Sequence, residues 1–254
     1  MAPTVIELDR FHLPSPRCPY LPDQRAVMEY RILAGLTHQQ YDQLLERGWR
    51  RFGMSFFRPA CPDCTRCRSL RVDVERFAPS RSQRRSLRRN ATVGVRVQAP
   101  TLTERHVELY NAYHELMHRR KGWPLQRIDE DEYAATFLSG HWPFAREFLY
   151  HQDDRLIGVA LADVTSRSLS SVYFFHDPAW RPGGPGVFSI LQQIAFAQRH
   201  KLSYQYLGYW IAECPSMAYK SAYRPHELLA GSPADDEAPT WVRPESQPGD
   251  GSRS

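Results

Sequence analysis

The stretch between residues 146 and 229 narrows the fold more than anything else in the chain. Residues 146–151, 156–164 and 170–176 are short apolar runs joined by brief links, the first link turning at Asp153 and Asp154, and they read as three successive strands. Residues 186–200 then carry apolar side chains at helical spacing. A strand over 204–209, a helix over 213–223 and a last strand over 226–229 complete the order β-β-β-α-β-α-β. Such an order defines an α+β architecture, but fold alone does not fix chemistry.

The first half is less regular. Residues 37–48 read as a short helix with Thr37 as N-cap, Tyr41, Leu44 and Leu45 on one face and Gly48 as its stop. Phe56 and Phe57 and residues 70–77 read as strands. Residues 102–120 form a longer helix, with Val107, Tyr110, Tyr113, His114 and Met117 at helical spacing. Asp129 and Glu132 have the spacing of a capping box. Residues 231–254 are rich in Pro, Gly, Ser, Asp and Glu, the composition of a disordered tail. The expected organisation is a small cysteine-bearing N-terminal module over 1–90, a transferase-like domain over 91–230 and a disordered tail over 231–254.

Several classes fall away at once. No run approaches the roughly 18 apolar residues that span a bilayer, so no membrane partner is expected. The first residues carry the acids Glu7 and Asp9 and no basic lead, so no secretory signal is expected. Five cysteines, three of them within seven residues, argue against a secreted disulfide scaffold. A cytoplasmic protein with a metal or functional thiols is the expectation. The formal charge of +5 is modest, but it is unevenly placed.

Four groups of residues can carry chemistry. Cys61, Cys64 and Cys67 can converge on one tetrahedral ion, with Cys18 as the fourth ligand; zinc and an iron–sulfur cluster both accept four thiolates. Arg81, Arg84, Arg85 and Arg88 stand at i, i+3, i+4 and i+7, so a helix lines them along one stripe beside Arg89, with no acid between residues 80 and 90. Arginine forks bind phosphate oxygens in pairs, which makes RNA a natural partner. Arg181, Gly184 and Gly186 fit R-x-x-G-x-G between a strand and a helix, a phosphate-wrapping arrangement as well as an ordinary turn. Lys220 with Tyr209 and Tyr219 puts polar tips near an apolar pocket, suited to an acidic ligand or a terminal adenine.

Longer motifs join these groups: Gly48-Trp-Arg-Arg-Phe-Gly53, Arg58-Pro-Ala-Cys-Pro-Asp-Cys-Thr-Arg-Cys67, Pro79-Ser-Arg-Ser-Gln-Arg-Arg85, Leu207-Gly-Tyr-Trp-Ile211 and Met217-Ala-Tyr-Lys220, preceded by Cys18-Pro-Tyr-Leu-Pro22. Together they resemble the aminoacyl-tRNA–protein transferases, most closely the bacterial aspartate/glutamate leucyltransferases, which are related to the arginyl-tRNA–protein transferases. The resemblance runs from about Cys18 to Leu229. It implies a GNAT-like N-acyltransferase domain behind the small N-terminal module. The implied reaction moves an amino acid from charged tRNA to the α-amine of proteins beginning with Asp or Glu, forming an N-end-rule degradation signal. Leucine is the favoured cargo, with arginine as the alternative.

Site expectations follow from that resemblance. Tyr173, Tyr209 and Tyr219 line the reacting centre, Lys220 pairs with the acceptor's acidic side chain, and Arg50, Arg51, Arg58, Arg81, Arg84, Arg85 and Arg88 hold tRNA phosphates. The transfer itself needs no cofactor, and the metal group of Cys18, Cys61, Cys64 and Cys67 braces the N-terminal module. Two rivals remain, a coenzyme A-dependent N-acetyltransferase and a metal-bearing RNA-binding module without catalysis.

Overall fold

The computed structural model of the chain describes residues 5–244. The elements are β1 (Ile6–Ser15), β2 (Ala26–Ala34), α1 (His38–Glu46), β3 (Arg50–Phe52), β4 (Ser55–Pro59), β5 (Arg68–Asp73), α2 (Arg81–Arg89), β6 (Gly94–Gln98), α3 (Glu104–Lys121), α4 (Glu130–Tyr133), β7 (Ala145–Gln152), β8 (Arg155–Val164), β9 (Ser168–His176), α5 (Pro185–Arg199), β10 (Tyr204–Trp210), α6 (Pro215–Ala218), β11 (His226–Leu229) and β12 (Trp241–Val242). Among the described residues no helix is long and apolar enough to cross a membrane.

Local chemistry accounts for the helix ends. Thr37, Ser80 and Asp129 each close a capping box, with Gln40, Gln83 and Glu132 returning the bond, worth about 1 kcal/mol per cap. Gly122 ends α3 in the left-handed conformation that a side chain disfavours.

Two sheets form. A four-stranded antiparallel sheet runs β1-β2-β4-β3, and an eight-stranded mixed sheet runs β12-β11-β5-β10-β9-β8-β7-β6. The second sheet is covered on both faces. On one, Leu109 and Tyr110 of α3 pack against Val159, Leu161 and Phe175. On the other, Phe188 of α5 packs against Tyr150 and Ala160, and Leu191 and Ile194 against Leu70 and Leu207. Burying side chains of this size contributes about 1.5–3 kcal/mol each, which explains why β8 reads as a nearly continuous apolar run.

The strands of the larger sheet are not divided at residue 90: β5, which precedes it, lies inside that sheet, hydrogen-bonded to β10 and β11. Nor do residues 231–244 form a loose tail. Trp241 and Val242 pair with Leu229 and Leu228, the Trp241 indole donates to Glu46 O at 3.2 Å, and Arg58 donates to Pro233 O at 2.8 Å. Residues 245–254 lie outside the described part of the chain.

Candidate functional site

The larger sheet opens at one place. β9 and β10 pair in parallel only from Ser168 and Tyr204 as far as Ser170 and Tyr206. Beyond that point β9 bulges, Leu161 facing Tyr173 and Ala162 facing Ser171, and β10 shifts register between Tyr206 and Gly208. A bulge re-aims side chains and ends pairing. Here Ser171 Oγ donates to Gln193 Oε1 of α5 at 2.6 Å, whereas Tyr173 packs on the α3 side. A cleft of about 560 Å³ occupies the divergence, bordered by Tyr173, His176, Gly186, Gln193, Tyr219 and Lys220.

Arg50 reaches into the gap from β3. Its Nη2 donates to Ser171 O, while its Nη1 is buried and has no partner among the described residues. Lys220 approaches from the other side, its Nζ donating to Tyr209 O at 2.6 Å. Burial first, and the nearby Arg50 guanidinium second, lower the Lys220 ammonium from an ordinary 10.5 to about 7. Neither cation meets a carboxylate among the described residues. No Asp or Glu borders the cleft either.

Polar groups behind the cleft are held in fixed positions. Gln205 Nε2 donates to Ser171 Oγ at 3.1 Å, Gln193 Nε2 to Ser189 Oγ at 3.2 Å, and Tyr150 Oη to Ser189 Oγ at 2.8 Å. On the α3 side, His114 Nε2 and Tyr173 Oη are 2.8 Å apart, under Tyr110, which stacks on His114 with ring centroids 4.1 Å apart. Burial lowers His114 and raises Tyr173 well above the usual phenol range, so both groups stay neutral near pH 7.

The structure therefore brings Tyr173, Tyr219 and Lys220 together and separates Tyr209 from them. The Tyr209 hydroxyl lies 3.0 Å from Gly48 O and 2.9 Å from Phe57 O, facing a second cavity of about 940 Å³ in the N-terminal part. Its contribution to the cleft is the carbonyl that holds Lys220. His114, Ser171 and Gln193 were not expected. Gln193 had a visible signal: a glutamine on the buried face of α5, among Phe188, Leu191 and Ile194.

The arginines divide into two groups. Arg51 is 4% exposed, bonded through Nε to Asp163 Oδ2 at 2.9 Å and through Nη2 to Asp163 Oδ1, and the same carboxylate accepts from Tyr41 Oη at 2.8 Å. Arg58 is 8% exposed, donates to Glu29 Oε2 at 2.8 Å and stacks over Trp49. Both are internal braces with no free face for phosphate, which corrects their expected role. Arg50, also buried, lies behind the cleft, bonded to Ser171 O on its border. Arg81, Arg84, Arg85 and Arg88 are exposed on α2 and meet no carboxylate among the described residues. The arginine-to-carbonyl bonds on this helix are Arg84 to Pro79 O at 2.5 Å and Arg89 to Pro182 O at 3.1 Å.

The cysteines gather, but not as a ligand set. Burial, then the neighbouring Cys18, Cys61, Cys64 and Cys214, push the Cys67 thiol up to about 12. Cys61 is turned to the Val27 backbone, whose N–H donates to its sulfur at 3.3 Å. Among the described residues no group of three or more His, Cys, Asp or Glu side chains is placed to hold a metal ion. The four-thiolate site expected of Cys18, Cys61, Cys64 and Cys67, for a structural zinc or a cluster, is therefore not supported. Cys214 packs against Ile211 and Met217.

The larger sheet thus opens beside Arg50 and Lys220, two buried cations that meet no carboxylate among the described residues, with the arginine-rich α2 packed against α5. Residues 16–85 match the description "Arginine-tRNA-protein transferase, N terminus" and residues 105–230 match "Arginine-tRNA-protein transferase, C terminus". The chain belongs to that family and is an aminoacyltransferase. It is 37% identical over 236 residues to an aspartate/glutamate leucyltransferase of Helicobacter hepaticus, covering 93% of this chain and 98% of the relative. It is 40% identical over 226 residues to one of Saccharophagus degradans, covering 88% and 94%. Among solved structures, FemX overlays 82% of this chain and 70% of its own at 11% identity and a TM-score of 0.49.

Proposed function

We propose that the chain moves leucine from leucyl-tRNA to the α-amine of proteins beginning with Asp or Glu, in a GNAT-like domain, and so creates an N-end-rule degradation signal in the cytoplasm. The observation that carries this reading is the Arg50–Lys220 pair. Two buried cations that meet no acid among the described residues, one with an unpartnered N–H, are complementary to a substrate carboxylate. The absence of Asp and Glu from the cleft border favours leucine over arginine as cargo, because an arginyl guanidinium would find no acid there. Val172, Phe174, Ile190 and Leu207 offer apolar surface instead.

In the reaction the amine nitrogen bonds to the ester carbonyl carbon, the C–O bond to the ribose breaks, and one amine proton passes to the leaving ribose oxygen. The ester is already activated, so the protein's part is orientation, proton handling and stabilisation of the oxyanion. A free α-amine has a pKa near 8, so a weak base suffices. The His114–Tyr173 pair is placed to handle that proton, and Gln193 and Ser171 to fix polar atoms of the intermediate. No cofactor enters any step.

The test supplies the purified chain with tRNA, the matching synthetase, radiolabelled leucine or arginine, and a short Asp-starting peptide. Leucine incorporation into that peptide, absent with a Lys-starting one, is the expected result. No transfer from either charged tRNA overturns the reading.

A further inference from the structure

The four-stranded sheet of β1, β2, β4 and β3 has two unlike faces, because successive side chains of a strand alternate between them. Leu33 of β2 and Phe56 of β4 turn to one face, where they are buried with Tyr41 and Trp49. Tyr30 and Phe57 turn to the other. The register sets Phe11 of β1 directly opposite Tyr30, and Tyr30 directly opposite Phe57. This second face floors the cavity of about 940 Å³ in the N-terminal part. Leu13 there is 56% exposed, and Met28, Tyr30 and Phe57 are only half-buried. Contiguous apolar surface left open in this way marks a place of interaction.

The face leads to the cleft. Rings follow one another from Phe11 to Tyr30 with centroids 5.3 Å apart, to Phe57 at 6.0 Å, to Phe52 at 5.5 Å and to Tyr173 of the cleft at 5.9 Å. Two further residues join the two spaces. Tyr20 borders both, on a loop closed by the Cys18 N–H donating to Gln24 O at 2.8 Å. Tyr209 gives its ring to the cavity and its carbonyl to Lys220, one of the two cations that face the acceptor's acid in the proposed function.

Charge narrows the occupant. Among the described residues no Asp or Glu borders the cavity, and Arg17 is the one basic residue that does. A run of RNA phosphates calls for several cations, which α2 has and this face lacks. A peptide with apolar side chains calls for none, and a pocket of this size and lining suits it.

We propose that this cavity receives the acceptor polypeptide beyond its first residue. With the α-amine at the ester and the leading acid on Arg50 and Lys220, the acceptor leaves the cleft past Tyr20 and lays its next side chains on Leu13, Met28, Tyr30 and Phe57. The enzyme thus reads apolar residues behind the leading Asp or Glu. The inference rests on the proposed function and deepens it by naming the chemistry that follows the acceptor's first residue.

The test compares kcat/KM for leucine transfer to two peptides with the same tail, one beginning Asp-Leu-Phe-Leu and one beginning Asp-Gly-Ser-Gly. The native chain is expected to favour the apolar peptide on the order of tenfold, the scale of one apolar side chain moved out of water. Leu13→Ser/Met28→Gln changes the cavity and nothing in the cleft, so it should abolish that preference and keep the native rate on the glycine-containing peptide, which also shows that the variant folds. Leu13→Glu, at an exposed position, is the second variant and should lower transfer to the apolar peptide alone. Equal rates of the native chain on the two peptides overturn the proposal and leave leucyl transfer standing. Variants that keep the preference, or that weaken equally toward both peptides, also overturn it, and a raised KM for leucyl-tRNA in them would show that the face binds RNA. No transfer to either peptide by the native chain overturns the proposed function, and this inference with it.

Discussion

Lys220 and Arg50 meet across Gly208 with no acid between them: a Cβ on that glycine would lie 3.6 Å from Lys220 Nζ and 3.7 Å from Arg50 Nη2. Like charges this close raise each other's cost, and a carboxylate entering the cleft relieves it. Arg50→Ala and Lys220→Met should therefore each lower kcat/KM for an Asp-starting peptide on the order of 100-fold, the effect of truncating one partner of a desolvated charge pair. Steady-state rates with varied peptide check this. An unchanged kcat/KM in both variants would remove the pair from acceptor recognition.

The same pair sets a pH dependence. In the empty cleft Lys220 loses its proton near pH 7, whereas a bound carboxylate favours the ammonium. Above that pH the acceptor must bind together with a proton, so its Kd should rise about tenfold per pH unit until the amine of the complex itself titrates. Calorimetric titration of an Asp-starting peptide from pH 6 to 9 measures the slope, and Lys220→Arg should flatten it. The stability effect has the same origin. With the folded group depressed below the unfolded 10.5, the unfolded chain binds more protons between about 7 and 10.5, so this lysine makes stability rise with pH across that window.

Arg51 and Asp163 make a prediction about stability, not RNA. Both are almost wholly enclosed, so Asp163→Ala leaves a buried guanidinium uncompensated and should cost about 3–5 kcal/mol. Replacing both partners, Arg51→Met with Asp163→Leu, should recover most of that loss. Urea unfolding of the two variants beside the native chain decides it; equal losses in the single and double variants would show that the ion pair is not what brings β3 and β8 together.

On α2 the expectation is reversed. Arg84, Arg85 and Arg88 are exposed and meet no carboxylate among the described residues, so replacing each with Gln should leave the melting temperature in place. Each substitution should reduce the slope of log K against log salt for tRNA by about 0.9. Arg58, enclosed with Glu29, should leave that slope unchanged in any variant that still folds. A stripe whose loss leaves the salt slope intact does not touch phosphate.

What the residues disclosed in advance depended on burial. β7, β8, β9 and α5 were legible because one or both of their faces are covered, which imposes a period on the apolar residues. β1 was not, since every residue of that strand is exposed and no buried face leaves its mark. Arg51 and Arg58 looked like phosphate contacts because their carboxylates, Asp163 and Glu29, lie far off in sequence or on another strand. Only the fold brings those pairs together. The cysteine spacing pointed to a metal because spacing records proximity, which the structure does show around Cys67. Tyr209 misled in the same way, its backbone serving the cleft while its ring faces elsewhere.

Composition was least reliable at residues 231–244, and that segment gives the last prediction. Arg71 lies between two rings, with its guanidinium carbon 3.8 Å from the Tyr204 centroid and 4.1 Å from that of Trp241, and its Nη2 pairs with Glu227 at 2.8 Å. Arg243 then donates to Glu227 at 3.2 Å and to Asp73 at 3.2 Å, closing the same carboxylates from outside. Trp241 also meets Tyr206 edge-on, so the segment seals one end of the sheet that carries the cleft. Ending the chain at residue 230 uncovers Tyr206 and half of the Arg71 stack. Losing one large aromatic and a desolvated cation–π contact should cost about 3–4 kcal/mol, and Trp241→Ala should reproduce most of it. Chemical unfolding of the two variants beside the full chain measures both losses. If the shortened chain matches the full one, Trp241 contributes nothing to the fold, and residues 231–244 behave as their composition first indicated.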